Sequence, residues 1–187
     1  ASTALARELI SEDGGATSCV FEFTEWSHAI APLVKGPGVK EAWFLANSTH
    51  VVDLAFHLCG FPKDWGAWQG GSLQWHPSAA RFCGSGITEL GVLFSYHADW
   101  DAPGRWGVEV LTHKHRYILR PMERLQMIEK GSINAKPLDL DDEVDKKFKP
   151  GLYQQVKAFL AQDNNLFCTL DEQYRHSMFY DKMAGYD

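Results

Sequence analysis

The stretch Ala46-Asn47-Ser48-Thr49-His50-Val51-Val52-Asp53-Leu54-Ala55-Phe56-His57-Leu58-Cys59-Gly60-Phe61-Pro62 reads as a complete helix, with start, stop and chemical face all legible. Ser48 or Asn47 can cap its N-terminus. Gly60 and Pro62 stand where a helix should stop. Between them His50, Asp53 and His57 recur at i, i+3 and i+7 and so share one face. Leu54, Ala55, Leu58 and the valines fill the remainder, so most of the helix is expected to be buried. A polar stripe on a buried helix has to end in a hydrogen-bond network or in a site.

Working outward, the chain has 187 residues, 45% of them hydrophobic and 13% aromatic, enough to pack one domain core. The formal net charge of −6 argues against nucleic acid or an acidic membrane as partner, since both need concentrated positive charge. No run approaches the roughly 18–20 apolar residues of a membrane span. The N-terminus lacks the basic-then-apolar pattern of a signal peptide. Cysteines 19, 59, 83 and 168 form no C-x-x-C pair, which predicts buried, reduced thiols and a cytoplasmic location.

Upstream, Ala4 to Ile10 predicts a short helix. Ser18 to Thr24 alternates, with Cys19, Phe21 and Phe23 on one side, and predicts a strand. Ala42 to Leu45 predicts a short strand feeding the His50 helix. Downstream of Pro62 the chain turns to β. Val92, Phe94 and Tyr96 alternate against Leu93, Ser95 and His97, and the Pro103-Gly104 turn then leads to a return strand over 106–112. Strands at 116–119 and 127–129 complete an expected antiparallel meander. Asp139 to Lys149 reads as a surface loop, and Pro150 suits the first turn of a helix carrying Leu152, Val156, Phe159 and Leu160. Thr169 to Glu172 is a capping box opening the last helix. The fold class is α+β: a large open, mostly antiparallel sheet with helices packed on one face. Residues 1–187 form a single domain. Tyr96, Trp100 and Trp106 suggest aromatics on both sheet faces, so the open face is expected to pair with another copy, making a homo-oligomer.

His50 lies in the first turn of its helix, where the helix N-terminus disfavours imidazolium. A neutral ring oriented by Asp53 suits general acid–base work on a hydroxyl or carbonyl. The other reading is a core histidine hydrogen-bonded by Asp53. His57, one turn deeper, reads as structural, and His-x-x-Asp-x-x-x-His is a weak metal signature. His113 and His115 read as exposed turn residues. Gly84-Ser85-Gly86 is rejected as a dinucleotide fingerprint because a strand pattern, not a helix, follows it. Cys83 has no neighbouring base and reads as a buried thiol. Arg105 stands ready to meet a substrate anion or to close a salt bridge at a hairpin end.

The run Asn47 to Leu54 followed by Gly60-Phe61-Pro62 resembles the helix that opens the C-terminal domain core of the glucose–fructose oxidoreductase, inositol dehydrogenase and rhizopine-catabolism (Gfo/Idh/MocA) family. Phe94-Ser95-Tyr96, Ala102-Pro103-Gly104-Arg105-Trp106, Pro121-Met122-Glu123-Arg124-Leu125 and Lys149-Pro150-Gly151-Leu152-Tyr153-Gln154-Gln155-Val156 with Phe159-Leu160 are similar to one of its branches. The resemblance implies the C-terminal substrate-binding and oligomerising domain of an NAD(P)-dependent oxidoreductase acting on a sugar, cyclitol or sugar nucleotide. It places the catalytic histidine on His50, with Asn47, Asp53 and Arg105 as candidates for substrate contact. Two departures matter. Ala46 replaces the family's acidic residue four positions before the histidine. The nucleotide-binding domain and its Glu-Lys-Pro lysine are missing, Glu129-Lys130 being followed by Gly131. NAD or NADP is therefore expected only in a full-length protein. This chain alone, a fragment or truncated product, is expected to be inactive. Two other readings are a stand-alone carbohydrate-binding or assembly module using Trp26, Trp68, Trp75 and Trp100, and a metal hydrolase using His50 and His57.

Overall fold

A computed structural model describes residues 1–163 and 167–186. Helix α1 (Ser2–Glu12) leads to strand β1 (Ser18–Glu22) and a single helical turn, α2 (Ser27–Ile30). A π-helical turn over Phe44–Ser48 runs directly into α3 (Thr49–Cys59). Seven strands follow: β2 (Pro62–Gly70), β3 (Arg81–Thr88), β4 (Leu93–Asp99), β5 (Gly107–Leu111), β6 (His115–Leu119), β7 (Gln126–Glu129) and β8 (Lys136–Pro137). Helices α4 (Glu143–Lys147), α5 (Leu152–Leu160) and α6 (Leu170–Ala184) complete the described chain.

The eight strands form one open sheet in the order β2-β3-β4-β1-β5-β6-β7-β8. Every neighbouring pair is antiparallel except β1 with β4. The expected direct return from β4 to β5 is therefore replaced: β1 lies between them, pairing Phe21 with Tyr96 on one side and with Val108 on the other. The Pro103-Gly104 connection crosses over the end of β1 instead of closing a hairpin.

Cys19, Phe21, Phe94, Tyr96, Val108 and Val110 point to the helix-covered face and are buried. Phe56 of α3 packs edge-on against Phe21 and Phe94, and Phe179 of α6 packs on Phe56 in turn, so aromatic contacts tie sheet to α3 to α6. Tyr96 and Trp100 belong to this core, with only 3% and 1% of their surface exposed, and Trp106 is half-buried. They do not furnish the open face, contrary to the expectation above. That face presents Val20, Leu93 and Trp68 instead.

Other local expectations are corrected. Ala42–Leu45 is not a strand: Phe44 is fully buried against Phe23 and Phe82, and that packing selects the π-turn over extended backbone. The acidic 139–149 segment holds the short exposed helix α4. Helix α5 starts after Pro150, capped by Gly151 at φ 76°. Cys83 is exposed on the open face and Cys168 is exposed as well, while Cys19 and Cys59 are buried. The capping box forms as read, Thr169 Oγ1 accepting from the Glu172 N–H and the Glu172 carboxylate accepting from the Thr169 N–H. Gly60 ends α3 at φ 85°, a conformation side-chain-bearing residues rarely adopt. No helix among the described residues is long and apolar enough to cross a membrane.

Candidate active site

Strand β1 directs the site. Its inward alternation continues past the last ladder pair, through Phe23 to Glu25, which is only 2% exposed. A carboxylate in that position must be hydrogen-bonded. The π-turn supplies the donors. Asn47 Nδ2 donates to both oxygens at 2.9 and 3.2 Å, and Ser48 Oγ donates to Oε1 at 2.8 Å. Ser48 is thus spent on Glu25 and makes no side-chain bond to the start of α3. Burial pushes the Glu25 pKa above the usual glutamate range. The bonds from Ser48 and Asn47, the Arg105 charge and the Trp106 indole oppose that shift without cancelling it.

The crossing loop forms the opposite wall. Trp26 Nε1 donates to the Gly104 carbonyl at 2.9 Å, fastening the loop to the end of β1. The Arg105 guanidinium lies 4.8 Å from the ring centre of Trp26 and 4.9 Å from that of Trp106. The hairpin-end salt bridge anticipated for Arg105 falls to another arginine: Arg120 Nη1 meets Glu22 Oε2 at 3.0 Å, while Arg105 gives Glu22 only its backbone N–H. The Trp106 Nε1–H is buried and, close as it is to Glu25, makes no hydrogen bond of ordinary geometry.

His50 is exposed in the first turn of α3, its ring 6.2 Å from the Trp106 ring centre. His50, Asn47 and Arg105 are therefore gathered around Glu25 and Trp106. Asp53 is not part of this group. Its Oδ1 accepts from His176 Nδ1 at 2.7 Å and from the Tyr180 hydroxyl, both on α6. The picture of a core histidine held by Asp53 gives way accordingly: among the described residues the His50 side chain makes no hydrogen bond, and the histidine held by Asp53 is His176. His115, expected to be an exposed turn residue, is half-buried and hydrogen-bonded to Asp13 at 2.7 Å.

Glu25 escaped the sequence reading as a site residue, and Trp26 entered it only in the binding-module reading, yet the signal for Glu25 was present. Cys19, Phe21 and Phe23 set an inward register in which the next inward position is Glu25. A carboxylate at the next core-facing position of a strand predicts a buried acid. The four tryptophans of the binding-module reading do not assemble. Trp100 is 1% exposed beneath Trp75, which stacks on it 5.7 Å away, and Trp68 stands alone on the open sheet face.

A bound dinucleotide needs a glycine turn that lets backbone N–H groups approach its pyrophosphate. Gly84 and Gly86 serve another purpose. They lie within β3, where a Cβ would come within 2.4 Å of Tyr96 and of Trp65 respectively, so they admit neighbouring side chains and not a phosphate. Gly84-Ser85-Gly86 is therefore no cradle for a pyrophosphate. No group of three His, Cys, Asp or Glu side chains among them is placed to hold a metal ion.

No protein-family model matches the chain, and no curated protein matches it. Solved structures do. Levoglucosan dehydrogenase in complex with NADH superposes with a TM-score of 0.68 at 16% identity, over 97% of this chain and 59% of that one. The UDP-N-acetylglucosamine 3-dehydrogenase GnnA from Acidithiobacillus ferrooxidans gives 0.69 at 13% identity, over 97% and 56%. An NADPH-dependent oxidoreductase, so described provisionally, from Desulfitobacterium hafniense gives 0.68 at 13%, over 97% and 57%. The fold is that of the Gfo/Idh/MocA-type dehydrogenases. The chain spans less than two thirds of the length of each of these Gfo/Idh/MocA-type structures.

Proposed function

We propose that this chain is the C-terminal substrate-binding and oligomerising domain of a cytoplasmic NAD(P)-dependent dehydrogenase acting on a sugar, cyclitol or sugar nucleotide. The observation that carries the reading is the meeting of Asn47 and Arg105 at buried Glu25, with His50 against the neighbouring Trp106 ring, in a fold shared with dehydrogenases. One similar enzyme has been solved with NADH and levoglucosan, and also with NADH and L-sorbose.

In this reading His50 is the acid–base group. It takes the hydroxyl proton of a carbinol as the carbon is oxidised to a carbonyl, and returns it in the reverse direction. Asn47 and Arg105 contact the substrate, and Glu25 holds Asn47 in place. Asp53 acts at one remove, locking α3 to α6 and so fixing the helix that presents His50. The dinucleotide is held by residues outside this chain, and the chemistry assigned here is confined to the proton. Two exposed surfaces support an incomplete unit. The open sheet face carries Trp68, Leu93 and Val20, suited to a second copy. Leu152, Val156, Phe159 and Leu160 of α5 stand 45%, 48%, 72% and 76% exposed, suited to a neighbouring domain.

The test is hydride transfer by the full gene product that contains this chain, with NAD+ or NADP+ and a panel of sugars, cyclitols and sugar nucleotides. Reduction of the nucleotide supports the reading. Sugar binding that needs no nucleotide, with no reduction by any substrate, would instead favour a carbohydrate-binding module.

A further inference from the structure

The Arg105 side chain is exposed and yet held. Two indoles stack on its guanidinium, at 4.8 and 4.9 Å, which restricts a side chain that is otherwise among the most mobile. Neither nearby carboxylate forms an ion pair with it, although its charge is felt at Glu25. Glu22 is bound by Arg120 and by the Arg105 backbone N–H. Glu25 receives Asn47 and Ser48. Among the described residues no carboxylate oxygen comes within 4.0 Å of the guanidinium, although the chain as a whole carries a net charge of −6.

Glu22, a partly exposed carboxylate beside the loop, is already paired with Arg120. Trp26 also stacks with the His28 ring, 6.1 Å away, and His50 lies against the Trp106 indole that carries the guanidinium. Stacking of Arg105 on both indoles occupies faces on which a neutral sugar would otherwise lie. What stays available is the planar edge of N–H donors, a shape that matches a carboxylate or phosphate by paired hydrogen bonds.

We propose that Arg105, clamped between Trp26 and Trp106, recognises an anionic group on the substrate, so that the substrate is a sugar bearing a carboxylate or a phosphate. This rests on the dehydrogenase reading of the same site and narrows its substrate class. His50 and the anion contact flank one indole, so the oxidised carbinol and the charged group belong to one molecule.

The experiment is calorimetric titration of the full gene product, saturated with reduced dinucleotide, with glucuronate, glucose 1-phosphate, UDP-glucose and glucose. At least one anionic sugar should bind about tenfold or more tightly than glucose, with an affinity that falls as salt rises. Preference for glucuronate identifies a carboxylate, and preference for either phosphate-bearing sugar identifies a phosphate. Arg105→Gln should abolish the difference, and Arg105→Lys, which keeps the charge and loses the planar fork, should fall between. Equal binding of glucose and the anionic sugars, an unaltered preference in Arg105→Gln, or no binding of any of the four would each overturn the proposal. Parallel measurement of nucleotide reduction separates the two claims. Oxidation of neutral sugars alone leaves the dehydrogenase standing and removes the anion, whereas absence of reduction by any sugar removes the dehydrogenase.

Discussion

Two buried carboxylates stand at opposite ends of the central strand β1, and their surroundings push them in opposite directions. Near its start, the Asp13 side chain is 6% exposed, and its Oδ2 accepts from Thr112 Oγ1 at 2.8 Å, His115 Nδ1 at 2.7 Å and the Tyr117 hydroxyl at 2.8 Å. Burial alone would raise its pKa, but the bonds from His115, Thr112 and Tyr117, with the charge of His115, outweigh it and hold the carboxyl below the usual aspartate range. At the other end Glu25, 2% exposed, is enclosed more deeply, and there burial wins. The difference separates a fastener from a site. Asp13 is fully supplied with donors and clips α1 to the β5–β6 connection. Glu25 keeps a deficit, beside a buried indole N–H and an arginine that find no hydrogen-bond partner and no ion pair, respectively, among the described residues, and such deficits gather where a ligand completes them.

Isosteric substitutions sharpen the contrast in stability. Asp13→Asn removes the charge from three hydrogen bonds and should cost about 2–3 kcal/mol in chemical denaturation. Tyr117→Phe, which deletes one of the three donors, should cost about 1–2 kcal/mol. Glu25→Gln relieves a buried charge as it weakens two bonds, and should stay within about 1 kcal/mol of the parent. Trp106→Phe deletes an N–H that has no partner and should cost least, under about 1 kcal/mol. Equal losses in Asp13→Asn and Glu25→Gln would break the comparison.

The pH dependence carries the same contrast with opposite signs. The folded pKa of Asp13 lies below its unfolded value, so its stabilisation is present above the ordinary aspartate range and is lost as pH falls through the folded pKa. Asp13→Asn should therefore flatten the acid limb of the stability curve. The folded pKa of Glu25 lies above its unfolded value. Its contribution is favourable below the ordinary glutamate range and is lost as pH rises through the folded pKa. Glu25→Gln should accordingly gain on the parent over that rise, in denaturation curves taken at successive pH values.

Much of this architecture was legible because it is local. The α3 stop at Gly60, the alternation of β1 and β4, and the Thr169 capping box depend on residues a few positions apart. What misled was decided by distant partners. Strand β1 lies between β4 and β5, which nothing near Pro103-Gly104 announces. Phe44 reads as strand by its aromatic neighbours and becomes π-helical by packing on Phe23 and Phe82. Asp53 has the spacing to serve His50 and is captured by His176 and Tyr180, more than 120 positions later in the chain. In the site itself, His50, Asn47 and Arg105 were readable one at a time. Glu25, which Asn47 and Arg105 meet, required carrying the strand register one step past its last apolar residue.

The central claim is that proton transfer takes place at the Glu25 end of β1, with His50 as its agent. Turnover of the full gene product tests it most directly, comparing the parent with His50→Ala and with His115→Ala at the opposite end. The account predicts that His50→Ala loses roughly 10²-fold or more in turnover, while His115→Ala keeps the parental rate wherever it remains folded. Near-normal turnover in His50→Ala would contradict it.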